Sequence, residues 1–161
     1  MSVRAALYAV LAALAACSPM SADAGQKAAA TAPARHPTSG LQVVPLTIVS
    51  ANGRHAFRAE VARSGEEQAK GLMFRTTMGA NEGMIFPMEP ARSASFWMKN
   101  TVIALDLVFI GPDKRIESIA ANAVPYSLSP ITSRGSVSAV LELDGGRAAQ
   151  LGLAVGDAVS W

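Results

Sequence analysis

From Leu41 to Trp161 the chain is a series of short apolar-rich runs, most bounded by Gly, Pro, Asn or Asp, with a period of two inside several of them. That is the pattern of half-buried strands. Leu41–Ser50 and His55–Ala62 flank Asn52-Gly53, a pair that tolerates positive φ at both positions and predicts a tight hairpin. In the second strand His55, Phe57, Ala59 and Val61 share one face, and Arg58 and Glu60 share the other. Further strands are predicted at Ser93–Lys99, Val102–Ile110, Arg115–Ala121 and Ser136–Leu143, with a last one ending at Trp161. Ser64-Gly65-Glu66-Glu67 forms a capping box that starts a short helix running to about Leu72, and Gly145-Gly146 precedes another around Arg147–Leu151. Met73 through Arg92 carries Gly79, Gly83, Pro87 and Pro90 and reads as a long ordered loop. The expected fold is mainly β: a single domain, sandwich-like or barrel-like, with two short α-helices.

The first 40 residues have a different character. Arg4 precedes an apolar run, Ala5–Ala16, of 12 residues. A helix of that length rises about 18 Å, well short of the roughly 30 Å hydrocarbon core, so it does not predict a spanning segment. Leu14-Ala15-Ala16-Cys17 has the pattern of a lipoprotein signal, cut before a cysteine whose thiol then carries lipid. A plain secretory cut after Ala15 or Ala24 also fits the small-x-small rule. The cut after Ala15 leaves an odd thiol, because Cys17 is the only cysteine. The lipid anchor accounts for that thiol. Ser18 stands where an aspartate would hold such a protein at the inner membrane, which favours the outer one. The expected organisation is a signal peptide over 1–16, a lipidated Cys17 with an Ala/Pro-rich tether over 17–40, and a folded domain over 41–161. Its place is then the periplasmic face of a membrane, with membrane lipid as a partner. His36 lies in the tether and is expected to be solvated.

Charge narrows the partners. Residues 41–161 hold three Lys and eight Arg against 11 Asp and Glu, so the domain is near neutral and the pI of 9.0 does not describe its surface. No cationic stripe is present to neutralise phosphates, so no nucleic-acid partner is expected.

Three segments, Gly71-Leu72-Met73-Phe74-Arg75, Glu82-Gly83-Met84-Ile85-Phe86 and Phe96-Trp97-Met98-Lys99-Asn100-Thr101, resemble those of the domain of unknown function 192 family. Leu105-Asp106, Leu141-Glu142-Leu143, Gly145-Gly146 and Val155-Gly156-Asp157 extend the resemblance over roughly residues 42–161. It implies a compact, mostly β domain, often carried behind a signal or lipoprotein leader, and it implies no particular activity.

Asp106 is the most pointed candidate, because every other side chain of Val102–Ile110 is apolar. A buried carboxylate requires a partner, and Arg75 and Lys99 are the expected ones. The pair is read either as a structural clasp or as part of a polar pocket. Trp97 and Lys99 fall on one side of a strand, an aromatic platform beside a cation, with Asn100 adjacent. That set suits a sugar or small polar ligand, or alternatively a core tryptophan with a snorkelling lysine. Five methionines fall between Met73 and Met98, and Met73, Met84 and Met98 are weak candidates for a Cu(I) site against core packing.

Catalytic inventory is thin. With two histidines and one cysteine there is no Cys-His pair and no ordinary zinc site, and a Ser-His-Asp triad would have to use His55. A glycosidase-like carboxylate pair could be drawn from Asp106, Glu142 and Glu82, with Asp106 and Glu142 the weak candidates. No cofactor is expected. The leading expectation is a non-catalytic module binding a small ligand or an envelope protein through Arg75, Trp97, Lys99, Asn100 and Asp106. The alternatives are an envelope glycan hydrolase using Asp106 and Glu142, and a Met-based Cu(I)-handling protein.

Overall fold

The computed structural model describes residues 34–161. Cys17 and the proposed signal lie outside the described residues. Nine strands and two helices follow in order: β1 (Val43–Ser50), β2 (Gly53–Val61), α1 (Gly65–Lys70), β3 (Glu82–Arg92), β4 (Ser95–Phe96), β5 (Leu105–Ile110), β6 (Ile116–Ala123), β7 (Ile131–Thr132), β8 (Val137–Asp144), α2 (Arg147–Leu151) and β9 (Ala158–Ser160). Seven strands form one curled sheet, a half-barrel, in the order β6-β5-β8-β3-β2-β1-β9, and β4 pairs with β7 beside it. The sheet's two edges meet at one end, where Arg115 bridges Ala158 and the Lys114 carbonyl accepts from the Val159 N–H at 2.8 Å.

The alternation of β1 and β2 produces the hairpin as expected, with a one-residue shift. Ser50 pairs with Gly53, so Ala51 and Asn52 make the turn, and Gly53, at φ +121°, opens the next strand. The capping box is present: Ser64 Oγ accepts from the Glu67 N–H at 3.1 Å, and the Glu67 carboxylate accepts from the Ser64 N–H at 2.8 Å.

The expected Met73–Arg92 loop is corrected. Its second half is β3, a strand near the centre of the sheet, which runs parallel to β2 and antiparallel to β8. A parallel neighbour needs a crossover of a dozen or more residues, and Ala62–Asn81, with α1 inside it, supplies that crossover. Gly83 sits in β3 because the β8 backbone comes so close that a Cβ there would meet the Glu142 carbonyl oxygen at 2.7 Å. Pro87 is tolerated because the β3–β8 register breaks between Pro87 and Arg92.

Burial divides the sheet into two apolar faces. Inside the curl, Leu46, Ile48, Phe57, Ile85, Val108, Ile116, Leu141 and Val159 form one core, drawn from all seven strands of the sheet. On the outer face, Leu72, Met84, Phe86, Met88, Met98, Leu107, Phe109 and Val140 form a second. The helix α1, the β4–β7 pair and their loops pack on that outer face, and a cleft opens among them.

Candidate functional site

The cleft, of about 310 Å³, lies between α1 and the chain around β4. Gln68 fixes its α1 wall by donating to the carbonyl oxygens of Ala62 at 3.2 Å and Pro87 at 2.9 Å. Gly71 ends the helix at φ +47°, a left-handed conformation that favours glycine, and packs beside the Phe86 ring. Phe86 meets Phe96 edge to face, with ring centroids 5.1 Å apart, and together they form an apolar wall. Trp97, half-exposed, stands at the mouth, with Lys99 Nζ 5.1 Å from its ring centroid.

Glu142 lines the same cleft from β8 and is only 5% exposed. Burial alone pushes its carboxyl up to about 8, with no hydrogen bond or neighbouring cation to offset the desolvation. A buried carboxyl with no protein partner is uncommon, because other buried polar groups in native structures are almost always paired. Here every fully enclosed side-chain polar atom among the described residues has its partner. Glu142 is therefore the polar group this cleft leaves open.

The residues expected to form one site are divided among several places. Trp97 and Lys99 line the cleft side by side, although β4 ends at Phe96 and they sit on the loop after it. Arg75 lines a neighbouring hollow of about 640 Å³ across the Gly71–Met73 turn. It holds Glu60, Nη1 to Oε1 at 2.9 Å and Nη2 to Oε2 at 3.1 Å, rather than Asp106. Asn100 lines neither space. It adopts φ +55°, its carbonyl accepts from the Phe74 N–H at 2.8 Å, and its Nδ2 contacts Met73 Sδ at 3.8 Å.

Asp106 is fully buried as expected, but its expected cationic partner is corrected. Oδ1 accepts from the Asn122 N–H at 2.7 Å and the Gly146 N–H at 3.0 Å, and Oδ2 accepts from the Ala148 N–H at 2.8 Å. Three backbone donors thus satisfy it, and it clasps the start of α2 to the sheet beside the end of β6. The carboxylate pair is corrected as well. Leu107 faces Glu142 and Asp106 faces Leu143 in the β5–β8 register, so Asp106 and Glu142 point to opposite sides of the sheet.

Met84 and Met98 are at most 1% exposed inside the outer-face core, while Met73 lines both spaces beside Asn100. Among the described residues no three His, Cys, Asp or Glu side chains gather as metal ligands.

Two further departures concern Glu60 and His36. The alternation puts Glu60 on the polar face of β2, yet it is 3% exposed, because residues 34–41 fold back over it. Ser39 Oγ hydrogen-bonds the Glu60 carboxylate, and His36 Nδ1 lies 3.6 Å from it, so His36 is packed on the domain instead of solvated. Arg92, Phe86 and Gln68, which also shape the cleft, carried no signal in the sequence beyond their place near recognisable segments.

Comparison with known proteins agrees with this architecture. A sequence model of domain of unknown function 192, described as an "Uncharacterized ACR", matches residues 47–161. The chain belongs to the domain of unknown function 192 family. No curated protein matches it. A solved protein of unknown function from Novosphingobium aromaticivorans is 57% identical, covering 82% of this chain and 94% of that one, with a TM-score of 0.79. A Sinorhizobium meliloti structure described as a "putative transcription regulator" is 36% identical, covering 74% of this chain and 94% of that one, with a TM-score of 0.72. This member of domain of unknown function 192 therefore shares its half-barrel with relatives whose names assign no ligand.

Proposed function

We propose that this protein is a non-catalytic binding module of the cell envelope, anchored to membrane lipid through Cys17, and that it takes a small ligand into the cleft above Glu142. The observation that carries the reading is the Glu142 carboxyl, buried and without a protein partner where an aromatic-walled cleft opens. Small-ligand sites are typically concave and mostly apolar, with a few convergent polar groups, and this cleft has that composition. The larger hollow beside Arg75 is a weaker candidate, because Arg75, Ser39 and Glu67 already spend their hydrogen bonds on Glu60 and on the α1 cap.

The opposed directions of Asp106 and Glu142 favour binding over glycan hydrolysis, which needs two carboxyl groups facing one sugar. The description of the Sinorhizobium meliloti relative is not carried over, since within residues 41–161 the 11 cations balanced by 11 anions give no electrostatic footprint for DNA. Native mass spectrometry of the full-length protein from its own membrane fraction tests both parts. The expected result is a lipid adduct on Cys17 and a co-purifying small molecule that is lost in Trp97→Ala. An unmodified Cys17 removes the anchor, and binding that Trp97→Ala and Glu142→Gln leave unchanged removes the cleft.

A further inference from the structure

We infer that the ligand of this cleft is a zwitterion, an α-amino acid or a similarly built amino compound, with its ammonium group on Glu142 and its anionic end toward Lys99 and Arg92. The inference rests on the cleft being a ligand site, as proposed above, and it adds the chemical class.

Glu142 supplies the first reason. Its carboxyl has four lone-pair sites and no protein donor, and an ammonium group brings three donors together with the charge that desolvation makes unfavourable to leave uncompensated. A ligand hydroxyl would satisfy some of those sites but leave the carboxyl in its neutral form, with no charge–charge attraction gained.

The cations supply the second. Lys70 from α1, Arg92 from the end of β3 and Lys99 from the loop after β4 all line the cleft, and all three are exposed. Among the described residues the ion pairs are those of Glu60 with Arg75 and His36, so none of these three is in one. The cleft lining therefore combines a single buried acid with three accessible cations that are not its direct neighbours. Once an ammonium group has displaced the Glu142 proton, that separation complements a molecule with its positive end inward and its negative end outward.

Size is the third reason. About 310 Å³ lies at the small end of ligand sites and suits a molecule of amino-acid to dipeptide size, whose side chain would rest on Leu72, Phe86, Met88 and Phe96. Seating an ammonium group on Glu142 favours the ionised carboxyl, so binding should expel a proton from it. Lys70, Arg92 and Lys99 are the other charged groups that line the cleft.

The test uses the full-length protein in detergent and the twenty standard α-amino acids, screened by thermal shift. Each hit is then compared by calorimetry with its N-acetyl derivative, which lacks the ammonium, and its amide, which lacks the carboxylate. At least one free amino acid should bind, with proton release seen as a buffer-dependent heat. N-acetylation and Glu142→Gln should each weaken binding about tenfold or more, and the amide and Lys99→Ala should each weaken it several-fold. Thermal melts of the two variants confirm that the loss is not unfolding. If N-acetyl derivatives bind as well as free amino acids, the inference falls. It also falls if no amino acid binds while a library of neutral and anionic fragments does so in a Trp97-dependent way, and the cleft reading then survives. If neither set binds, both fall.

Discussion

Asp106 and Glu142 lie on paired strands, one register position apart, yet they point to opposite faces of the sheet. Asp106 turns toward the interior of the half-barrel and is saturated by three backbone N–H groups, whereas Glu142 turns outward and has no protein partner. The two acids therefore answer different tests. Asp106→Asn replaces an acceptor with an amide that presents hydrogens to a donor. It should destabilise the fold by about 2–4 kcal/mol, since charge-assisted hydrogen bonds contribute more than neutral ones and the freed N–H groups are buried. Urea unfolding measures the loss. Ligand affinity of the folded fraction should not change, because the cleft is on the other face.

The pH dependence of stability should carry the signature of Glu142. Its carboxyl is raised from an ordinary 4.5 to about 8, so between those values the folded state holds a proton that the unfolded state has released. Stability contributed by the neutral carboxyl is then full below about 4.5 and declines as pH rises through 8, by on the order of a few kcal/mol. Glu142→Gln removes that component. Thermal melts at pH 5 and pH 9 should show the variant close to the wild type at the lower pH and more stable at the higher. Parallel curves for the two proteins would contradict the assignment.

Glu60 and Arg75 should be strongly coupled. The pair is bidentate, with Glu60 buried and Arg75 largely covered, and it is joined by Ser39 and His36, so it ties residues 34–41 to β2. Arg75→Ala leaves Glu60 without its cation and should lose about 3–5 kcal/mol, while the double variant Glu60→Gln with Arg75→Met should recover much of that loss. Limited trypsin digestion gives a second measure: Glu60→Gln should speed cleavage after Arg35, which lies in the segment the pair holds down.

What the sequence revealed follows the range of each interaction. The β1–β2 hairpin and the Ser64–Glu67 cap are local, and alternation or spacing announced them to within one residue. The burial of Asp106 was legible because it stands alone among apolar neighbours, but its partners are backbone N–H groups, which no side-chain pattern marks. Glu142 carries the same local signature between Leu141 and Leu143, and its position on a cleft depends on where α1 and β4 pack. Alternation puts Glu60 on a polar face because it tells which way a side chain points and not what covers it in the folded chain. The strand β3 is not legible because Gly83, Pro87 and Pro90 are breakers by every local rule, and only the approach of β8 explains the glycine at position 83.

Gly83 offers the sharpest test of that explanation. Its backbone needs no positive φ, so conformational freedom is not the reason for a glycine; the reason is contact. A Cβ would lie 2.7 Å from the Glu142 carbonyl oxygen and 3.1 Å from the Leu143 side chain, and a backbone atom inside a ladder cannot move aside like the end of a flexible chain. Gly83→Ala should therefore cost about 1–3 kcal/mol by overcrowding, although alanine normally stabilises a strand or helix relative to glycine. Gly65→Ala is the matched control, because nothing lies within 4 Å of its added Cβ, and it should be neutral or slightly stabilising. Chemical denaturation of the two variants separates the explanations. If Gly83→Ala is as well tolerated as Gly65→Ala, the β3–β8 approach is looser than the register requires. If it is not, the widening it forces between β3 and β8 should also displace Glu142, so the same variant should weaken ligand binding in the cleft.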